Sequence, residues 1–438
     1  MPRLVVRPLE QFFRLEASGG LVLLGATVVA LIWANVAGAA YEDFWTTPVT
    51  IEVGDWQLDE TVRDLVNDGL MAVFFLVIGL EVKRELAVGE LSTIRAALLP
   101  AVAAVGGMVV PALVFLALVG GGDGARGWGI PMATDVAFAL GALAALGRRV
   151  PPGLVAFLLG AAVIDDIGAI VVIAVYYTDT LAFAWLAAAL GGLVAMAALQ
   201  RVHVRHMLPY VVLGVAIWFC ALESGVHPTI AAVAIGLLTP AHPFQEPAVV
   251  SAEAIRIANE TADEPDDPDA DAGFWRRLAW LSREAISPLT RVEHSLHEWS
   301  SFLVLPIFAL ANAGIALDAD SLEAAAETPI ALAVALGLVL GKTIGITLGA
   351  AIAVRLGLSV LPAGVRWAHV VGVAALAGIG FTVSLFIAGL AYTDPSELEA
   401  AKIGILGGSI VAALIGLAAL LAVARQPGSA GRRAPDTT

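Results

Sequence analysis

Apolar residues occupy this chain in runs far longer than a soluble core helix needs, and polar residues collect between the runs. A helix crossing the hydrocarbon core of a bilayer requires about 20 such residues. Twelve runs approach or reach that length: 19–37, 66–82, 96–120, 129–146, 152–177, 181–200, 207–223, 226–240, 300–316, 329–354, 367–392 and 401–424. The pattern predicts an all-α membrane protein with twelve transmembrane helices. Ala37-Gly38-Ala39 resembles the cleavage site of a secretory signal. The first run is nevertheless longer than the ~7–15 residues of a signal's apolar core, and it reads as a span.

Three stretches break the pattern. TIEVGDWQL (50–58) alternates apolar and polar residues around Gly54-Asp55, which predicts a β-hairpin with a two-residue turn. An isolated hairpin is marginal in water. It therefore rests either on its own chain or on a second subunit, and a homodimer through residues 48–58 is the expectation. Residues 241–299 form the longest polar segment, with an acidic insert at 251–281 that contains DEPDDPDAD (263–271) and reads as disordered. Residues 426–438 read as a disordered tail.

Composition agrees with a bilayer: 59% of residues are hydrophobic and 14% charged, with a mean hydropathy of +0.86. The formal charge of −15 excludes a nucleic-acid footprint, which needs a basic face. A single Cys220 and seven His without zinc spacing predict no disulfide, no structural metal and no cofactor. Numbering the loops alternately places 20 of the 24 basic residues on one side, with both termini. By the positive-inside rule that side is cytoplasmic. Trp33, Trp128, Trp299 and Trp367 fall near run ends, where interfacial anchors are expected.

Four charges lie deep inside runs: Asp135, Asp165, Asp166 and Lys342. Each costs roughly 2.5–3.5 kcal/mol at a helix centre. Together they sum to −2 when all are ionised. A site of that kind takes cations, either a small metal ion or protons in competition. The plainer reading is a structural ion pair between one aspartate and Lys342. It leaves the second of two adjacent carboxylates unexplained, because successive helix residues point about 100° apart.

Pro131 interrupts the fourth run, and Gly378 and Gly380 weaken the eleventh. Both carry T-x-x-x-F-x-x-G: Thr134, Phe138, Gly141 and Thr382, Phe386, Gly389. Runs 3–5 and 10–12, about 96–177 and 329–424, would then be two three-helix repeats of opposite orientation. Interrupted spans at matching positions of inverted repeats point to a transporter's binding site. Half-helix ends want compensating charge, which Asp135 and Lys342 supply.

Taken together, these residues resemble the NhaA-type sodium/proton antiporters of bacteria. The resemblance rests on Ala133-Thr134-Asp135, Asp165-Asp166 and Gly341-Lys342, and on MAVFFLVIGLEVKREL (71–86), SGVHPTIA (224–231), RVEHSLHEW (291–299) and PIFALANAG (306–314). It covers residues 10–425. Inverted repeats are a known property of that family, so the symmetry counts with the resemblance rather than beside it. The resemblance implies electrogenic exchange of cytoplasmic Na⁺ or Li⁺ for H⁺ across the inner membrane, activated at alkaline pH. Asp165 and Asp166 would bind the ion. Lys342 would pair with Asp165 and join proton exchange. Thr134 and Asp135 would lie where the unwound chains of helices 4 and 11 cross. Glu81, Lys83, Glu85, His227, Glu293, His294 and His297 would serve the pH response. The acidic insert departs from the family pattern just before Glu293-His294.

For that last group plainer readings stay open. Glu293, His294 and His297 fit an interfacial capping cluster, Glu81 and Glu85 fit counter-charges to Lys83-Arg84, and His227 fits a polar helix end. Four other functions stand against exchange. An aspartyl protease needs two carboxylates facing across a cleft, and adjacent aspartates do not. A prenyl-transfer enzyme wants D-D-x-x-D at a membrane surface, whereas DDIGA is at mid-depth. A sodium symporter of an organic solute needs more polar room at the crossing. Lys342 argues against an open cation channel.

Overall fold

Within a bilayer the backbone has no water to bond, so apolar runs resolve into helices. Seven helices are long and apolar enough to cross: Ser18–Val36, Val62–Ala87, Ile94–Val119, Pro152–Tyr176, Phe183–Arg201, Pro329–Arg355 and Pro395–Arg425. Two bent pairs bring the number to nine among the described residues. They are Asp123–Met132 with Val136–Ala145, bent by 40°, and Trp367–Leu376 with Phe381–Ala391, bent by 49°. The remaining predicted runs fall on shorter helices, Met207–Glu223, Pro228–Leu238 and Leu305–Asn312. The chain is a helical, multi-pass membrane protein. The computed structural model describes residues 2–53, 56–178, 181–202, 204–262 and 268–425. The expected tail at 426–438 and the hairpin turn at Gly54-Asp55 lie outside them.

The chain divides into two units. The first comprises Met1–Met71, Glu90–Thr178 and Ser301–Thr438. Its helices approach closely because small residues meet at the contacts, as membrane packing favours. A Cβ on Gly349 would lie 2.8 Å from Ala103 Cα, one on Gly107 2.6 Å from Ile346 Cγ1, and one on Gly408 2.9 Å from Ala335 Cα. This unit also carries the hairpin. Strands Pro48–Val53 and Trp56–Thr61 pair antiparallel with Pro48 opposite Thr61 and Thr50 opposite Asp59. Val62 N donates to Thr47 O at 3.1 Å and closes its base.

The second unit comprises Ala72–Gly89 and Asp179–Ser300. Helices Phe183–Arg201, Met207–Glu223 and Pro228–Leu238 share a small core of Met196, Ile217, Ala221 and Ala231. Helix Pro228–Leu238 lies against the helix that contains Gly79, where a Cβ would lie 2.7 Å from Val233 O. The expectation of a disordered insert is corrected here. Residues Pro247–Ala262 and Pro268–Glu284 are helices. Val250, Ile257 and Leu281 meet between them, with Ala285 against the seam. The Asp/Pro-rich tract dominates the composition of the segment, but its apolar residues are spaced to give each helix one buried stripe. Residues 263–267 lie outside the described set.

Candidate functional site

The two broken spans belong to the first unit, and their breaks meet. After the tight helix Asp123–Met132, Ala133 and Asp135 adopt extended backbone, and Val136–Ala145 resumes the helix. On the other chain segment Trp367–Leu376 stops and Phe381–Ala391 starts again. Each break frees backbone groups that the other takes up. Asp135 N donates to Ile379 O at 2.6 Å. Thr134 Oγ1 donates to Ala377 O at 2.9 Å, and Ser384 Oγ to Ile130 O at 2.8 Å. Gly380 N reaches Ser409 Oγ at 3.3 Å on the Pro395–Arg425 helix.

Asp135 caps two helices with one carboxylate. Its Oδ1 accepts from Phe138 N at 3.1 Å, at the start of its own half-helix. Its Oδ2 accepts from Thr382 N at 3.0 Å and Thr382 Oγ1 at 2.5 Å, at the start of the opposite one. An anion between two helix N-termini offsets the partial positive charge of both. The sequence pointed to Asp135 but not to Thr382 as its partner. The signal was present in the T-x-x-x-F-x-x-G echo that pairs Thr382 with Thr134.

Asp165 and Asp166 sit midway along Pro152–Tyr176, buried at 2% and 7% exposure. Lys342 follows a wide π-helical turn, Gly337–Gly341, and is fully buried. Its Nζ donates to Asp165 Oδ2 at 2.5 Å. Thr134 Oγ1 lies 2.9 Å from that same oxygen. A threonine hydroxyl has one proton, so Thr134 serves either Asp165 or Ala377 O at one time. Asp165 Oδ1 is buried with no hydrogen-bond partner among the described residues. The expected lysine–aspartate pair is thus in place. Lys342 meets a carboxylate, while the freed Ala377 carbonyl is served by Thr134. The group amounts to a carboxylate with one oxygen saturated and one open, its neighbour carboxylate turned about 100° along the same helix, and a competing ammonium.

The residues expected to answer pH belong to the second unit. Arg84 is the hub there, and sequence reasoning passed over it as one of a cytoplasmic anchor pair. Its Nη1 donates to Glu293 Oε1 in a short bond, and Nη2 lies 3.6 Å from Glu85 Oε1 and 4.0 Å from Glu81 Oε1. Burial raises the pKa of Glu293 from its ordinary value, against the opposing pull of Arg84 and then His297. His294 is exposed and Lys83 half-buried. His227 stands at the N-terminal boundary of Pro228–Leu238 without a side-chain capping bond, and its Nδ1 lies 2.8 Å from Thr229 Oγ1.

With this geometry in hand, similarity to known proteins is specific. Residues 10–420 match the family model described as Na⁺/H⁺ antiporter 1. The chain is 45% identical over 436 residues to the Na(+)/H(+) antiporter NhaA 2 of Sorangium cellulosum (strain So ce56), covering 99% of this chain and 93% of that protein. It is 46% identical to the Na(+)/H(+) antiporter NhaA of Syntrophobacter fumaroxidans (strain DSM 10017 / MPOB), covering 94% and 90%. These relatives are transporters rather than enzymes, and the chain belongs to the Na⁺/H⁺ antiporter 1 family.

Proposed function

We propose that this protein is an electrogenic antiporter of the bacterial inner membrane. It moves cytoplasmic Na⁺ or Li⁺ outward in exchange for external H⁺, is activated at alkaline pH, and serves pH and sodium homeostasis. The observation that carries this reading is the state of Asp165. Lys342 and Thr134 reach its Oδ2, whereas its buried Oδ1 has no partner among the described residues. A buried polar atom left unbonded is costly, and a dehydrated cation held between Asp165 and Asp166 relieves that cost. A proton does the same. Ion and proton therefore exclude each other, which is the requirement for exchange.

In the proposed cycle the deprotonated aspartates take Na⁺ from the cytoplasm, and Lys342 yields its hold on Asp165. The repeats 96–177 and 329–424 then rock against the rest of the chain. Protons displace Na⁺ outside, and the protonated site returns. If both carboxylates, or one with Lys342, exchange a proton per Na⁺, more positive charge enters than leaves. Asp135 and Thr134 hold the crossing while this happens. We read the whole as twelve spans with cytoplasmic termini and two inverted repeats, working as a homodimer through the 48–58 hairpin.

The test is cation-induced proton movement. Purified protein is reconstituted in vesicles with an acid interior, NaCl or LiCl is added outside at several pH values, and a ΔpH dye is followed. Wild type collapses the gradient, more so as pH rises, and Asp166→Asn does not. No response from either protein at any pH overturns the exchange reading and brings the sodium symporter forward.

A further inference from the structure

The insert helices carry a surface that exchange does not use. Leu281 faces Val250 and Ile257 inside the helix pair. At about 100° per residue, Trp275, Arg276, Ala279, Trp280 and Arg283 fall on the opposite side of Pro268–Glu284. All five are exposed, Trp275 at 63% and Trp280 at 45%. From Trp275 to Arg283 this side carries no acid. The acids of the tract 263–271 lie at the far end of the pair in sequence.

The near end is fastened to the ends of apolar helices. Leu289 N donates to Pro240 O at 3.2 Å, and Pro240 stands two residues beyond Pro228–Leu238. Gln245 N donates to Glu284 O at 3.3 Å. Arg205, two residues before Met207–Glu223, reaches the buried Glu284 at 3.3 Å and covers the Trp280 ring at 5.4 Å. Apolar helices end where the headgroups begin. At 1.5 Å per residue, Trp280 and Trp275 lie only about 6 and 14 Å along the helix from that anchor. Exposed tryptophans beside arginines, on a polar helix at that level, have the composition of an interfacial element.

We propose that the outer face of Pro268–Glu284 binds the anionic lipid surface of the bilayer on the side of the basic loops. Trp275 and Trp280 seat among the headgroups, and Arg276 and Arg283 meet lipid phosphates.

The test uses the full chain with Cys220→Ser and Trp275→Cys, a polarity-sensitive dye on the new thiol, and vesicles of phosphatidylcholine alone or mixed with phosphatidylglycerol. Lipids bearing a quencher report contact. With phosphatidylglycerol the dye shifts to the blue and is quenched, and salt reverses both. Arg276→Gln and Arg283→Gln each lower the ratio of lipid-engaged to water-exposed dye by about fivefold. The same label at Ala279→Cys, with both tryptophans kept, gives the same result. A dye that stays in water in both lipids overturns the proposal. So does a dye shielded without lipid quenching, which is a protein contact. Equal, salt-insensitive quenching in both lipids is an uncharged anchor and overturns the anionic assignment. None of these readings requires transport, so a failure of exchange leaves them interpretable.

Discussion

Asp165 and Lys342 form a fully buried ion pair, and such pairs are far more costly to halve than to remove. Lys342→Met strands a carboxylate and is expected to cost about 3–5 kcal/mol, read as a lower melting temperature in detergent. Adding Asp165→Asn removes the stranded charge and restores most of the loss, although exchange is abolished. A double variant no more stable than Lys342→Met would mean that the two side chains do not depend on each other. Thr382→Val tests the partner of Asp135. It deletes one bond to a carboxylate and is expected to cost about 1.5–3 kcal/mol, checked by the same melting measurement. The charged residues were legible in the sequence, because an aspartate or lysine inside an apolar run announces itself. Their uncharged partners were not. Thr382 meets Asp135 across 247 positions, and nothing local marks a threonine as the cap of a distant helix.

The interrupted spans were legible for a related reason. Proline and paired glycines leave marks in a sequence, whereas the angle and mutual approach of the two breaks depend on tertiary bonds such as Asp135 N to Ile379 O. The helices around them meet through glycine. Gly349→Leu places a branched side chain where even a Cβ would come within 2.8 Å of Ala103 Cα, so loss of folded protein on size-exclusion chromatography is expected, while Gly407→Leu, where nothing lies within 4 Å of the added Cβ, is tolerated. Equal yields from both would contradict the close contact. The insert shows the reverse kind of error. Composition averaged over 263–271 suggested disorder, while Val250, Ile257 and Leu281, which lie outside that tract, found one another. For the hairpin, the strands were legible from alternation, but alternation says nothing of what covers them. Replacing residues 49–59 by a short glycine-serine linker is expected to shift the protein from dimer to monomer in light scattering. A dimer that survives the exchange places the contact elsewhere.

At the scale of the molecule, charge is arranged rather than merely abundant. The chain carries a formal charge of −15, and Glu293 is an acid that the fold sets against basic groups. It lies outside the spanning helices, burial raises its pKa, and Arg84 and then His297 pull it back. The sign follows from linkage. A carboxyl with a raised folded pKa holds its proton to higher pH than in the unfolded chain. Its contribution to stability is present at low pH and is lost as pH rises through the folded value. In that same window the new carboxylate strengthens its pairing with Arg84. Glu293 therefore loses its proton at higher pH than an ordinary glutamate, the direction in which the proposed exchange switches on. Glu293→Gln, which mimics the protonated side chain, is expected to flatten the rise of initial exchange rate with pH in the ΔpH dye assay. Arg84→Gln removes the chief force lowering the pKa of Glu293, so its midpoint is expected to move to higher pH. Midpoint and slope unchanged in both variants would show that this cluster holds the helices together without sensing protons, and the pH response would then have to arise at the aspartate pair itself.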